Sequence, residues 1–536
     1  MLFLLLAGAG FLIWVWTTCF AEPPVLAGEP AIHAEVLSTV DGRVHFGESW
    51  FEARLGRSLL YLEGDPYSIG YANARMTSDW IFEQERELIA TVREFLPGTL
   101  EFWGVTLLVL TNNRSLPSYV PLEYQYEILG LAEGSEDPLP HMGPRYHRIL
   151  NYHAAHDISH WVWDKPVVGC NAFAAVGDWT ESGHLILGRN FDFEAGRRFD
   201  ENKIIGLYRP ESGCAFLSIA WPGMAGAVTG INDERIFCSI NGAHSADRGR
   251  IGTPASLVVR QVLQYATTLE EATAIIRDAQ VFVADSYLLA DGKTGQAVVV
   301  EKTPARSGVR GMQGGLLLQS NHFETDELAV DSGNLDYMQV GTSIARHGRL
   351  RELVEGERGS LDPGSAVAIM RDRKGVGGLE LAPGHRSSLC AVIATHSVVA
   401  DVTAGTLWVS RGPHQLGEFD PYSIEDFGTA GEALPADPAL GDGTHSTLVE
   451  VRAVLERLEE EFEDTGRLSD TSLAELARSA DRLPPLPALL RLWGRALEAS
   501  GDPESALERF REAAEARPPF RVDREAVEAA IHRLGD

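Results

Sequence analysis

The sequence predicts an α+β protein, with stacked β-sheets covered by helices and a small helical extension at the C-terminus. Three observations predict it. From about Glu35 to Trp163, apolar residues recur mostly at helical spacing. After Val167 the chain turns to short apolar or alternating runs, broken by Gly, Pro, Asp and Asn and interleaved with amphipathic helix pairs. Beyond residue 445 it is helical and charged.

Taken in order, the first 21 residues, MLFLLLAGAGFLIWVWTTCFA, carry no charge, and Glu22, Pro23 and Pro24 follow. The run reads as an export signal, with Cys19 and Ala21 as small residues before a cleavage point. It lacks an opening Lys or Arg and is long enough to span a bilayer, so a membrane tether by residues 1–21 stays open beside a cleaved signal. The chain is expected to be exported: periplasmic, extracellular, or anchored facing outside. Helices are expected over "SDWIFEQERELIATVREFL", "YQYEILGLAEG" and "LNYHAAHDISHWVWD", and strands over "CNAFAAVGDW", "HLILGRNFDF", "KIIGLYRP", "AFLSIAWPG" and "RIFCSING". Two helices follow, "ASLVVRQVLQYA" and "LEEATAIIRDA", then strands "SYLLAD", "QAVVVEKT" and "GLLLQSNHF", helices near 340–355 and 363–373, and a last strand pair. The expected division is a signal or anchor (1–21), a mainly helical pro-segment or small subunit (22–169), a catalytic domain (170–425), a linker (426–445) and a helical extension (446–536). In that extension "LWGRALEASGDPESALERFREAAEARP" fits one tetratricopeptide-like repeat, with small residues that let two helices pack closely. One repeat cannot bury its own face, so it should dock on the main domain or on a protein partner.

Composition excludes some functions. The 536 residues are 44% hydrophobic and 23% charged, an ordinary globular balance. The formal charge of -30, from 46 basic and 76 acidic residues, repels phosphate backbones, so nucleic acid is not an expected partner. No G-x-S-x-G elbow, H-E-x-x-H motif, Walker loop or dinucleotide fingerprint is present. His153, His156 and His160 share one face of an expected helix, but no acidic or thiol partner is evident, so they read as surface or interface residues. No metal or organic cofactor is expected. Cys170, Cys214, Cys238 and Cys390 show no C-x-x-C spacing, and the last three lie in apolar runs as buried thiols.

Cys170 stands apart. It follows Gly169, where the backbone is uncrowded, at the change from helices to sheet. Arg189 and Asp192 close the next strand, and an antiparallel pair would return them beside Cys170. If the Gly169–Cys170 bond is cut, Cys170 becomes an N-terminus that carries nucleophile and base on one residue. Its α-amine, near pKa ~8, can take the proton of a thiol near ~8.5. Arg189 would favour the thiolate and hold substrate, and Asp192 would orient the amine.

On the stretches "LEGDPYSIGYANAR", "EILGLAEGSE", "GCNAFAAVGDWTESGHLILGRNFDF", "GINDERIFCSIN", "LLLQSNHF" and "SIARHGRLREL", the sequence resembles the penicillin acyltransferase-like family of autoproteolytic cysteine hydrolases, within the N-terminal-nucleophile superfamily. The resemblance covers roughly residues 55–420. It implies a four-layer αββα sandwich and self-cleavage before the cysteine. It implies Cys170 as nucleophile, Arg189 and Asp192 as substrate-side and amine-orienting groups, Asn321 as oxyanion-hole side chain and Asn241 as a second contributor. Arg346 resembles a substrate-side arginine. The sequence departs from the family at Asn171, where a small hydroxyl residue is commoner, and in its added tail. The function expected is acyl transfer or hydrolysis on a small-molecule amide through a thioester. Hydrolysis of lipid or phospholipid acyl groups is one alternative. A non-catalytic cell-surface binding protein on the same fold is another.

Overall fold

The structure, a computed structural model, describes residues 19–54, 56–95, 98–162, 169–193, 198–429 and 431–535. The expected signal or anchor lies almost wholly outside them, and no helix among the described residues is long and apolar enough to cross a membrane.

The segment before Cys170 opens with four strands: β1 (Ser38–Val40), β2 (Arg43–Phe46), β3 (Ser49–Glu52) and β4 (Ser58–Gly64). They form an antiparallel meander at one end of an 11-stranded sheet. The second sheet starts with β5 (Asn171–Ala175) and β6 (Ile186–Asp192). The chain then returns to the first sheet with β7 (Ile204–Pro210), β8 (Phe216–Ala220), β9 (Thr229–Asn232) and β10 (Ile236–Gly242). After two helices that sheet ends with β11 (Asp285–Asp291), β12 (Gln296–Lys302) and β13 (Ser307–Gly311). The second sheet is completed by β14 (Leu316–Gln319), β15 (Ala394–Asp401), β16 (Thr406–Ser410) and β17 (Phe419–Tyr422), in the order β14-β5-β6-β15-β16-β17. Pairing is antiparallel except where β4 runs parallel to β7, from Ser58 opposite Ile204 to Gly64 opposite Pro210.

Alternation along each strand decides the layers. Ala172, Ala174, Leu187 and Val398 of the small sheet meet Leu207, Leu217, Phe237 and Leu288 of the large one. Phe173, Ile186 and Val399 point the other way. Before Cys170 lie α1 (Pro66–Phe95), α2 (Thr99–Asn113), α3 (Leu122–Gly134), α4 (Arg145–His153) and α5 (Ala155–Val162). α1 is kinked at Thr77 (φ −124°, ψ 19°): the helix expected from Ser78 follows the kink, and an unexpected first segment precedes it from Pro66, where Asp65 accepts from the Ser68 N–H and Pro suits a first helical turn. The run expected as one helix near 150–164 breaks at Ala154 into α4 and α5. The glycines in the two early motifs have a packing reason: a Cβ on Gly70 would lie 1.9 Å from the Glu127 oxygen, and one on Gly130 would lie 2.3 Å from the Tyr67 oxygen. Thus α1 and α3 cross backbone to backbone.

Beyond the short α6 (Arg198–Glu201), α7 (Ala255–Tyr265) and α8 (Leu269–Asp278) cover the large sheet, with Val258, Val262 and Ile276 on Phe216, Ile240 and Leu289. After α9 (Ser332–Val340), α10 (Ser343–Gly356) and α11 (Pro363–Met370) cover the small sheet, with Leu350, Val354, Val367 and Met370 on Phe173 and Val399. The result is the αββα sandwich expected. Buried Arg260 of α7 reaches Glu127 of α3 at 3.1 Å, an ion pair across the two sides of Cys170 in sequence.

The extension holds α12 (Thr444–Thr465), α13 (Asp470–Ala480), α14 (Pro487–Ser500), α15 (Pro503–Glu515) and α16 (Arg521–Gly535). Within the repeat-like stretch, a Cβ on Gly494 would lie 2.9 Å from the Phe510 ring, so the small residue seats the aromatic one between α14 and α15. The extension docks on the sandwich: Cys390, Val392 and Leu416 pack with Leu448, and Leu440, Leu483 and Leu486 close over them.

Candidate active site

The site forms where β5 and β6 begin and end. Their register sets Asn171 opposite Asn190, which brings Asp192 back beside Gly169 and Cys170. The Gly169 N–H donates to the Asp192 backbone oxygen at 3.1 Å, and the Cys170 thiol donates to that same oxygen at 3.7 Å. Cys170 is fully buried. Burial pushes its thiol above the ordinary value, Arg189 pulls it back down, and Asp192 opposes Arg189.

Arg346, on the face of the small sheet covered by α10, is the centre of the network. Its Nη1 donates to the backbone oxygens of Gly169 and Cys170, each at 2.7 Å, and to Asn171 Oδ1 at 2.8 Å. Its Nη2 donates to Asn321 Oδ1 at 2.9 Å, and its Nε to Thr342 Oγ1 at 3.2 Å. A planar fork is the only side chain that serves so many acceptors from one point. Asn321 follows β14 directly; its backbone N–H donates to Ser343 Oγ at 2.9 Å and its Nδ2 to the Gly242 oxygen at 2.8 Å. Asn241, near the end of β10, donates to the Ser320 oxygen at 3.5 Å, and its Oδ1 has no hydrogen-bond partner among the described residues.

Arg189 lies on the opposite face, between the sheets. It donates to Thr229 Oγ1 and to the Ile240 oxygen, and it lies 3.2 Å from His396 Nε2. Its Cζ stands 4.7 Å from the Phe191 ring centre. Burial lowers its guanidinium to about 10. The residues expected at the site therefore gather around one junction, but the two arginines approach it from different sides. Arg346, read from sequence as a substrate-side group, touches the junction itself. Asn171, read as a departure, is built in: its Nδ2 donates to the Gly169 oxygen at 3.1 Å. Sequence reasoning did not single out Ser343, His396 or Arg386. Of these only Ser343, at the start of the "SIARHGRLREL" motif, carries a local signal.

Of the three histidines read as surface or interface residues, His153 is instead buried and His156 partly so, and both bond within the fold. His153 Nδ1 donates to the Ile149 oxygen and its Nε2 accepts from the Ala225 N–H, both at 2.8 Å, while His156 pairs with Asp285 at 3.0 Å. The His160 side chain lies outside the described residues. A second group, His322, Glu324 and His347, brings one ligand atom each within 4.8 Å of the others. Arg310 sits 2.8 Å from Glu324, and Arg351 sits 3.3 Å from His347 Nε2, so two guanidinium groups already supply the positive charge there.

On the Phe191 side of the strand pair lies a cavity of about 280 Å³, walled mainly by apolar side chains of α1 and α2 and by Phe191, Phe193, Phe199, Trp221 and Ile240, with polar residues of α4, Arg148 and Asn151 among them, at one side. Two of these, Phe191 and Ile240, also contact Arg189.

Residues 179–397 match the family model of acyl-coenzyme A:6-aminopenicillanic acid acyl-transferase. The matched stretch holds Arg189, Asp192, Asn241, Asn321 and Arg346 and begins after Cys170. Among curated proteins similar to this chain, an uncharacterized protein of Archaeoglobus fulgidus is 26% identical over 347 residues, 57% of this chain and 56% of the relative. Protein dcd1B of Dictyostelium discoideum is 23% identical over 273 residues, 46% of this chain and 50% of the relative. The chain thus spans about half the length of the curated relatives it matches. Among solved structures, it is similar to a Caenorhabditis elegans N-acylethanolamine-hydrolyzing acid amidase ortholog, at TM-score 0.33 and 18% identity over 44% of this chain and 93% of the other. It is also similar to a conjugated bile acid hydrolase of Clostridium perfringens, at TM-score 0.35 and 14% identity over 50% of this chain and 94% of the other.

Proposed function

We propose that the protein is an N-terminal cysteine amidohydrolase or acyltransferase that activates itself by cutting the Gly169–Cys170 bond. In the cut, Cys170 Sγ attacks the Gly169 carbonyl carbon. The C–S bond forms, the C–N bond breaks and the nitrogen takes a proton. Water then hydrolyses the thioester, leaving a Gly169 carboxylate and a Cys170 with free thiol and free α-amine. In turnover the same sulfur attacks an amide substrate, with the α-amine now taking the thiol proton near neutral pH. Asn321 and Asn241 are the oxyanion donors of that step, and Asp192 orients the amine.

The observation that carries this reading is Arg346. A guanidinium 2.7 Å from the Gly169 oxygen polarises the carbonyl that must be attacked and offsets the charge that develops there. The test is intact mass with N-terminal sequencing. We expect a fragment beginning Cys-Asn-Ala-Phe in the wild type, and one uncut, inactive chain for Cys170→Ala. An uncut wild type with Cys170 inert to thiol reagents would turn the reading toward a binding protein.

The cavity favours a second, narrower reading of the acyl group. Its apolar walls next to Arg189 suit an extended hydrocarbon acyl chain better than a charged one. The acyl alternative, hydrolysis at a lipid acyl bond, draws its support from the same walls. Turnover of matched amides and esters that differ only in acyl length separates the two bond types.

A further inference from the structure

The C-terminal extension reaches the cleavage junction through one loop. Arg386, buried in that loop, lies against the junction: a Cβ on Gly169 would stand 3.8 Å from Arg386 Nη2 and 3.3 Å from Asp192 Oδ2. The loop's other contacts run to the extension. His385 Nε2 donates to the Arg517 backbone oxygen at 2.8 Å, and its Nδ1 accepts from the Ser387 N–H at 3.1 Å. One ring thereby ties the residues on both sides of Arg386 to the turn between α15 and α16. Burial keeps the His385 ring below its ordinary pKa, so neutral, as these two bonds require. The Phe520 ring centre stands 5.7 Å from Arg386 Cζ. Arg452 of α12 donates to the oxygens of Gly384 and Ala391 at 3.1 Å and of Val392 at 3.0 Å, which pins both ends of the segment.

We propose that the helical extension is a positioning element of the reaction: through His385, Phe520 and Arg452 it fixes the loop that holds the Arg386 guanidinium against Gly169 and Asp192. Arg386 is then a positioning residue. It adds a third guanidinium, beside Arg189 and Arg346, around the one carboxylate of Asp192, and it restrains the backbone that must present its carbonyl to Cys170. A tail with this role need not recruit a partner to explain its presence. The proposal takes Gly169–Cys170 as the reacting bond, as argued above.

The test separates the brace from the chemistry. In the full-length Cys170→Ala chain, hydrogen exchange is followed at the Gly169 amide, which bonds to Asp192. Adding Phe520→Ala should speed that exchange by about tenfold and leave the β10–β11 amides unchanged. Arg386→Ala should do the same, and the double variant should add nothing further, since both act through one contact. With Cys170 intact, Phe520→Ala should slow cleavage by about tenfold, with no such loss for Phe520→Trp, which keeps an aromatic face for the guanidinium. Unchanged exchange in both single variants overturns the proposal, and so do fully additive effects. If exchange responds as described but the wild type never cleaves, the brace stands and the autoproteolytic reading falls. If Phe520→Ala does not fold, His385→Ala, which cuts the loop's bond to the Arg517 oxygen, takes its place, and unchanged exchange there overturns the proposal.

Discussion

Two fully buried arginines flank the same strand pair and differ in what they touch. Arg189 points inward from β6 and spends its donors on Thr229 and Ile240 of the large sheet, close to His396. Arg346 comes from α10 on the outer face and spends its donors on the backbone of Gly169 and Cys170 and on two asparagines. One stitches two sheets together and sets the field at the thiol. The other holds the Gly169 and Cys170 carbonyls at the proposed cleavage junction. Burial and charge are alike at both sites, so neither reveals the role; the atoms that accept the hydrogen bonds do.

The contrast breaks most sharply at Arg346. Arg346→Ala should slow cleavage about a thousandfold, and Arg346→Lys should not restore it, because a point charge cannot serve acceptors spread across a plane. Intact-mass time courses read this, and rapid cleavage in either variant would remove Arg346 from the mechanism. Asn321→Ala should cut turnover roughly a hundred- to thousandfold, the usual cost of one oxyanion donor. Turnover near the wild-type rate would show that Asn321 only braces Gly242 and Arg346.

Arg189→Met should act on the thiol and on stability. It takes a donor from the Ile240 oxygen, at about 1–3 kcal/mol of stability, while Thr229 Oγ1 and His396 Nε2, 2.8 Å apart, keep each other. Alkylation of Cys170 in the uncut chain should rise with pH through a thiol value above the ordinary one, and Arg189→Met should move that rise to still higher pH. An unmoved profile would mean that Arg189 is a structural stitch alone. A pH effect on stability alone, away from the reaction, is expected at Asp157, whose carboxyl burial pushes up to about 8. The folded chain then keeps a proton that the unfolded chain loses near ~4, so this group's contribution is full below that pH and is lost as pH rises through about 8. Asp157→Asn keeps the acceptor for the Ala255 N–H. It should flatten the fall of the melting temperature between pH 5 and 9.

Much of the site was legible because it is local. The β5–β6 pair follows from alternation and a turn, and its register alone returns Asp192 to Gly169. Asn321 was legible because it ends an apolar run. The four early strands were not, since β1 is exposed along its length and β2 and β3 are four residues each, too short for a period to register. Nor were His396 and Arg386, whose neighbours lie some 200 residues away in sequence. Asn171 was visible but misweighted, because its value comes from Arg346, across 175 residues.

The parallel pairing of β4 with β7 has a consequence for a chain cut as proposed. These strands come from either side of Gly169–Cys170, and seven residue pairs join them in one sheet, beside the Glu127–Arg260 ion pair. A nick there would free two ends without releasing a peptide, and the product would be a heterodimer whose subunits share a core. Its refolding after denaturation should be second order, with a melting temperature that climbs with protein concentration, whereas the uncut precursor should refold at a rate indifferent to dilution.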